Sequence, residues 1–216
     1  MPNTNAIEKS TTQVDFLLLD SSSSMYGTVW ENAVKSIDAY IGGMRLANVN
    51  TRTIVSVFGA QTPEYIHIDA PIAEWQPLTV GMFGGGTPLY DAISLMGRRL
   101  RDLDPPRAAI TIVTDGDDNG STFCDVHQAK AILDWCRAKG WQVTFIGAGF
   151  DNLRLARALG ADEASAIGTS PQRLLEATEA LAKKRAQYGL TGAPMHYSDA
   201  EKQQFGGYLP APDGAK

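Results

Sequence analysis

The chain has 216 residues, of which 44% are hydrophobic and 20% are charged, and its formal net charge is −5. This length and composition predict one globular domain whose core is large enough to fold without disulfides or metals. The negative charge argues against nucleic acid or an anionic membrane as the main partner, because both attract basic surfaces.

The N-terminal segment and the apolar runs bear on localisation. Residues 1–13, MPNTNAIEKSTTQ, have neither the basic nor the apolar region of a signal peptide, and we expect them to be flexible. No apolar run approaches the roughly 20 residues that cross a bilayer. We therefore expect a soluble, cytoplasmic protein, although an excised domain of a secreted protein would have the same features. Cys124 and Cys136 could form one disulfide, but a reduced thiol is the commoner state of a core cysteine such as Cys136.

Strand and helix patterns alternate along the chain. Nearly continuous apolar runs predict buried strands at residues 14–19, 53–58, 65–68, 108–113 and 143–146, with a weaker one at 164–167. Apolar residues at helical spacing predict helices around residues 34–41, 89–103, 129–136 and 153–159, and a final one starting at Ser170-Pro171. Only the turn-like GAQTPE separates the second and third strands, which predicts an antiparallel hairpin at a sheet edge. Such alternation predicts an α/β fold with a mostly parallel sheet and helices on both faces.

The alternating pattern ends near Thr191. Residues 191–216 are poor in aliphatic side chains and rich in Gly and Pro, which predicts an extended or disordered C-terminal tail. The folded domain is therefore expected to span residues 14–190.

Oxygen-bearing side chains follow two of the predicted strands. The first strand continues into DSSSS, which begins at Asp20, and the fourth continues into TDGDDN, which contains Asp115. A separate segment, GGGTP, places Thr87 directly before the helix that starts at Pro88. In an open parallel sheet, ligand sites lie where the strands end, so these three segments should meet at one edge.

Alternation along DSSSS divides its serines into two sets. Ser22 and Ser24 can point the same way as Asp20, whereas Ser21 and Ser23 point elsewhere and act as small spacers in the turn. Oxygen ligands of this kind suit Mg²⁺, and the absence of His and Cys from the cluster disfavours zinc.

The charge of the cluster predicts how a bound metal would behave. Two carboxylates, Asp20 and Asp115, can neutralise a divalent cation, while hydroxyl ligands add little negative charge. A metal held in this way remains electrophilic and can accept another carboxylate from a partner. Such a site is suited to docking rather than to a closed structural role.

Three motifs together resemble a known site. D-x-S-x-S at Asp20, Ser22 and Ser24, the threonine of GGGTP at Thr87, and the strand-end aspartate Asp115 resemble the metal-ion-dependent adhesion site of the von Willebrand factor A domain, also found in integrin inserted domains. The resemblance covers roughly residues 14–190. It implies a Rossmann-like, doubly wound, mostly parallel sheet of about six strands with one antiparallel edge strand and helices on both faces. It also implies that these five residues hold Mg²⁺ or Mn²⁺, the hydroxyls directly or through water and the aspartates often through water.

The resemblance further implies a protein-binding domain without enzymatic activity, in which an Asp or Glu of the partner completes the metal's octahedron. Bacterial intracellular members often act beside AAA+ ATPases, although no residue here selects such a partner, and the oligomeric state stays open. A weaker hypothesis is that a tail carboxylate, Asp199, Glu201 or Asp213, occupies the site of a neighbouring molecule.

The same motifs are compatible in part with two other kinds of site. A Mg²⁺-dependent phosphohydrolase with Asp20 as nucleophile is the alternative from another class. That chemistry usually needs an acid at the position of Ser22 and a positioned lysine, and LLLDSSSS supplies neither. TDGDDNG also resembles the start of an EF-hand loop, but the position that requires glutamate is Val126. The EF-hand is therefore rejected, and Asp117 and Asp118 are expected to be solvated loop residues, with a position behind the direct metal ligands as the alternative.

Overall fold

A computed structural model describes residues 12–60, 62–79, 81–148 and 153–206. The strands are β1 Gln13–Asp20, β2 Thr51–Gly59, β3 Thr62–Pro71, β4 Ala108–Thr114, β5 Gln142–Ala148 and β6 Ala166–Thr169. The α-helices are α1 Thr28–Leu46, α2 Leu89–Leu103, α3 Val126–Ala138, α4 Leu153–Ala158, α5 Leu174–Thr191 and α6 Asp199–Phe205. One-turn 3-10 helices lie at Ser23–Met25, Ile72–Glu74 and Glu163–Ser165.

The six strands form one sheet in the order β3-β2-β1-β4-β5-β6. All neighbouring pairs are parallel except β2 and β3, which form the antiparallel hairpin at one edge. The predicted fold class, a doubly wound, mostly parallel sheet with one antiparallel edge strand, is therefore confirmed. The chain leaves β1 toward β2 and later returns to β4 on the other side of β1, so β1 and β4 flank the switch point at which such sheets bind ligands.

Alternate residues of β1 belong to two separate cores, which explains why the strand is apolar at nearly every position, with Asp15 as the buried exception. Leu17 and Leu19 pack in the core under α1 and α5. Phe16 and Leu18 pack in the core under α2, α3 and α4. All four side chains are fully buried. Helices therefore cover both faces of the sheet, and the strand ends remain available for a site.

Residues 191–206 correct the predicted tail. α5 continues through Thr191, and residues 199–205 form α6, whose start is stabilised by a capping box between Ser198 and Glu201. Met195, Tyr197 and Phe205 are buried in the core under α1 and α5. The prediction of an extended or disordered tail is therefore wrong for α6, and the chain up to Gly206 packs on the domain. Residues 207–216 of the predicted tail lie outside the described residues, and so do residues 1–11 of the predicted flexible N-terminal segment.

Other features agree with or refine the sequence analysis. Cys124 and Cys136 are both buried free thiols. α5 begins at Leu174 rather than at Ser170-Pro171, because residues 170–173 form a turn closed by a bond from the N–H of Arg173 to the Ser170 carbonyl. In the described part of the chain, no helix combines the length and apolarity needed to cross a bilayer.

Candidate metal centre

The ends of β1 and β4 meet at a buried carboxylate. Asp20, the last residue of β1, is fully buried, and its Oδ2 accepts a 2.6 Å hydrogen bond from the Thr114 hydroxyl at the end of β4. Its Oδ1 accepts a 2.8 Å bond from the N–H of Ser22. Burial raises the pKa of the Asp20 carboxyl to about 6. Both donors are neutral, so neither compensates the charge of the ionised carboxylate.

A chain of oxygen atoms leads from this carboxylate to the surface. The hydroxyls of buried Ser22 and exposed Ser24 lie 3.1 Å apart. The Ser24 hydroxyl donates a 2.7 Å bond to Oδ1 of Asp115, a half-buried carboxyl whose pKa is raised by burial. Four of the five predicted site residues are therefore brought together in one connected group.

The two remaining serines of DSSSS join other segments to this group. Ser21 donates from its N–H and its hydroxyl to the carbonyl of Phe58 in β2, at 2.7 and 3.0 Å. Its carbonyl accepts a 2.9 Å bond from the N–H of Gly84. Ser23 donates its N–H to the Gly85 carbonyl at 3.0 Å and accepts the Gly85 N–H at its hydroxyl at 2.8 Å. Ser21 and Ser23 thus hold residues 84–86, which we call the glycine loop, in addition to acting as spacers.

Thr87, the fifth predicted residue, is 2% exposed, and two hydrogen bonds to Asn119 hold its backbone. Thr87 directly follows the glycine loop, and Asn119 lies in the loop that follows β4. The Thr87 N–H donates to Oδ1 of Asn119 at 2.7 Å, and the Asn119 N–H donates to the Thr87 carbonyl at 3.1 Å. Among the described residues, no hydrogen bond joins the Thr87 hydroxyl to the other four side chains. The structure therefore places Thr87 on an adjoining, tethered loop.

Two aspartates anchor the loop between β4 and α3. Asp118 is a partly exposed loop residue, as predicted, but it also accepts the N–H of Tyr90 at 3.0 Å and thereby caps the first turn of α2. Asp91 is 1% exposed and accepts three backbone N–H groups of this loop, those of Thr122, Phe123 and Cys124. Asp117, by contrast, is exposed and pairs with Arg154.

The spacing of the oxygens agrees with a hard cation. Two adjacent ligands of an octahedral ion at about 2.1 Å lie roughly 3 Å apart. The distances from Ser24 Oγ to Ser22 Oγ and to Asp115 Oδ1 are 3.1 and 2.7 Å. Within the described residues, no three His, Cys, Asp or Glu side chains are grouped as metal ligands would be. Any metal at this edge would therefore depend on the hydroxyls as well as on the two carboxylates.

No protein family model and no curated protein matches this chain, but solved structures do. The ArnB paralog VWA2 from Sulfolobus acidocaldarius superposes with a TM-score of 0.54 at 18% identity, over 80% of this chain and 45% of that one. Proximal thread matrix protein 1 from the mussel byssus gives 0.56 at 16% identity, over 82% and 47%. Manganese-loaded TRAP from Plasmodium vivax gives 0.53 at 13% identity, over 77% and 71%.

The chain has the von Willebrand factor A fold. At these identities the likeness concerns the fold alone, and this chain spans less than half the length of VWA2 and of the mussel protein. In this chain's version of the von Willebrand factor A fold, the connected group from Asp20 to Asp115 lies at the carboxyl ends of β1 and β4, the edge at which doubly wound sheets bind ligands.

Proposed function

We propose that this chain is a divalent-cation-dependent protein-binding domain. Mg²⁺ or Mn²⁺ would be held by Ser22, Ser24 and Thr87, directly or through water, and by Asp20 and Asp115, with the buried Asp20 acting through a bound water. The observation that carries the proposal is the buried Asp20 carboxylate, which lacks a positive partner among its hydrogen-bond donors. It accepts the N–H of Ser22, and the hydroxyls of Ser22 and Ser24 continue the connection to Asp115. A cation at the serine oxygens would supply the missing positive charge. A manganese-loaded protein of the same fold gives further support.

The donor set favours a partner that carries an Asp or Glu. Asp20 and Asp115 balance the two positive charges, and the hydroxyls leave the metal electrophilic. Ser24 is exposed, so a carboxylate from outside can approach the ion at this end of the group. An acidic side chain of a partner protein would then complete the coordination.

The state of Asp20 favours binding over phosphoryl transfer. A nucleophilic aspartate must present a carboxylate oxygen to phosphorus. Asp20 is fully buried, and each of its oxygens accepts a hydrogen bond. We therefore propose a domain without enzymatic activity. Its partner would be a cytoplasmic protein, and the family resemblance suggests an AAA+ ATPase as its class. The net charge of −5 disfavours nucleic acid and anionic membranes as partners.

Calorimetric titration with MnCl₂ and MgCl₂ tests the metal site. The full chain should bind one ion, with Mg²⁺ in the millimolar range, and Asp20→Asn should lose at least about tenfold in affinity. Asp117→Asn is the matched control, because it removes an exposed carboxylate near the same edge that pairs with Arg154. Absence of binding in the wild type, or equal binding by Asp20→Asn, would overturn the proposal.

Two further assays separate the functions. Affinity capture in Mg²⁺ and in EDTA should recover a protein partner only with metal and only with wild-type Asp20. Turnover of a generic phosphate ester that disappears in Asp20→Asn would instead support the phosphohydrolase.

A further inference from the structure

The exposed aromatic side chains of the described residues lie on loops that carry the proposed metal ligands. In the described part of the chain, the exposed large apolar side chains are three aromatic residues and three leucines. The aromatic ones are Tyr26, Phe83 and Phe123, which are 81%, 38% and 48% exposed. Each lies on one of the three loops that carry the proposed ligands: Tyr26 follows Ser24, Phe83 precedes the glycine loop and Thr87, and Phe123 lies beyond Asp115. We call these three residues the aromatic rim.

Backbone hydrogen bonds hold two members of the rim beside the serines. The N–H of Tyr26 donates to the Ser23 carbonyl at 3.2 Å. Phe83 directly precedes Gly84, whose N–H donates to the Ser21 carbonyl at 2.9 Å. The two bonds between Ser23 and Gly85 join these loops. Tyr26 and Phe83 therefore emerge from two loops that are fastened together at the edge of the site.

The third member is also fixed at its backbone. The Phe123 N–H donates a 3.1 Å bond to Oδ1 of Asp91, a buried residue in the first turn of α2. Its neighbours Thr122 and Cys124 donate to the same carboxylate. An exposed aromatic side chain on a backbone that is already ordered loses little conformational entropy when it binds, which favours a role in recognition.

We propose that the aromatic rim binds the partner segment that supplies the carboxylate to the metal, and that apolar residues flank the Asp or Glu of that segment. This proposal rests on the proposed function. A segment whose carboxylate reaches an ion beside Ser24 must run close to Tyr26, two residues further along the loop. Aromatic residues are enriched in the cores of protein interfaces, where they supply large contact areas.

The charges at this edge of the sheet favour a protein segment over nucleic acid as the ligand of the aromatic rim. Aromatic side chains also stack on bases, but such sites combine them with a basic groove. Here the loops that carry the rim also carry Asp115 and Asp117, and the exposed Arg154 is paired with Asp117. The partner is therefore expected to be acidic at one position, where it meets the metal, and apolar next to it.

Peptide selection on the immobilised full chain tests the proposal. A display library with one fixed aspartate between random positions is bound in MnCl₂ and eluted with EDTA. We expect aromatic and aliphatic residues to be enriched next to the aspartate. For a synthetic peptide of the selected sequence, Tyr26→Ser and Phe83→Ser should each weaken binding at least about tenfold. Leu190→Ser is the matched control, since Leu190 is 80% exposed at the end of α5, and it should change binding less than about twofold.

Titration of the same variants with Mn²⁺ separates this inference from the proposed function. If the wild type binds no metal, both fail. The inference alone is overturned if metal binds but no peptide is selected, if the selected peptides show no apolar preference, or if the rim variants retain full affinity. A rim variant that loses Mn²⁺ and peptide in equal proportion also overturns it, because the peptide would then be lost through the ion.

Discussion

Asp15 of β1 and Arg185 of α5 form a fully buried ion pair between residues 170 positions apart. Nε and Nη2 of Arg185 donate to the two carboxylate oxygens at 2.6 and 3.0 Å. Tyr40 of α1 and Thr51 of β2 donate their hydroxyls to the same carboxylate, at 3.1 and 2.7 Å. One aspartate thus connects two helices and two strands on the face of the sheet that they share.

This pair predicts a large loss of stability when one charge is removed. Arg185→Met should lower the free energy of unfolding by about 3–5 kcal/mol, because Asp15 would remain buried without its cation. The double variant Asp15→Asn/Arg185→Met should be less destabilised than the single one. Urea denaturation followed by far-ultraviolet circular dichroism measures the free energy of unfolding of both variants.

The exposed pair Arg157–Glu163 provides the control for that experiment. Arg157→Met should cost less than about 1 kcal/mol, since exposed ion pairs contribute little. Equal costs for Arg185→Met and Arg157→Met would contradict the assigned role of the buried pair.

The glycine loop predicts a second stability effect. Gly85 has a φ of +71°, and a Cβ there would lie 2.5 Å from the Cα of Ala60. Gly85→Ala should therefore lower the free energy of unfolding by about 1–3 kcal/mol and weaken Mn²⁺ binding, because the bonds to Ser23 would be displaced. Gly81 has no atom within 4 Å of a built Cβ, so Gly81→Ala should stay within about 0.5 kcal/mol of the wild type. Similar unfolding curves for both variants would show that the loop tolerates the added atom.

The hydrogen bonds between Asn119 and Thr87 predict that Asn119 affects metal affinity only by positioning Thr87. Asn119→Ala removes the acceptor for the Thr87 N–H and should weaken Mn²⁺ binding by roughly tenfold, as the loss of groups that orient metal ligands does. Asn32→Ala is the control, because the Asn32 side chain donates a comparable bond to the Pro171 carbonyl on another loop. Both variants should lose about 1 kcal/mol of stability, but only Asn119→Ala should lose affinity for the ion. Calorimetry that finds unchanged Mn²⁺ binding in Asn119→Ala would remove Asn119 from the site.

β1 could be predicted because a strand that is buried on both faces is apolar at most of its positions, and the hairpin because only a short turn separates β2 from β3. The role of Asp118 could not be predicted, since it caps α2 across a gap of 28 residues. α6 could not be predicted because Met195, Tyr197 and Phe205 are too widely spaced to form a helical period, and their burial depends on contacts with α5 and β6.

Local chemistry along the chain determined the sheet class and the choice of Asp20, Ser22, Ser24, Thr87 and Asp115, because alternation and strand ends are visible in adjacent residues. Only the tertiary structure decided that β4 lies beside β1, which sets the Thr114 hydroxyl on Asp20 and Ser24 on Asp115. It also decided that Ser21 and Ser23 hold the glycine loop and that the aromatic residues Tyr26, Phe83 and Phe123 are exposed on the loops that carry the proposed ligands. These relationships join residues up to 94 positions apart. They depend on strand order, which no short stretch of sequence encodes.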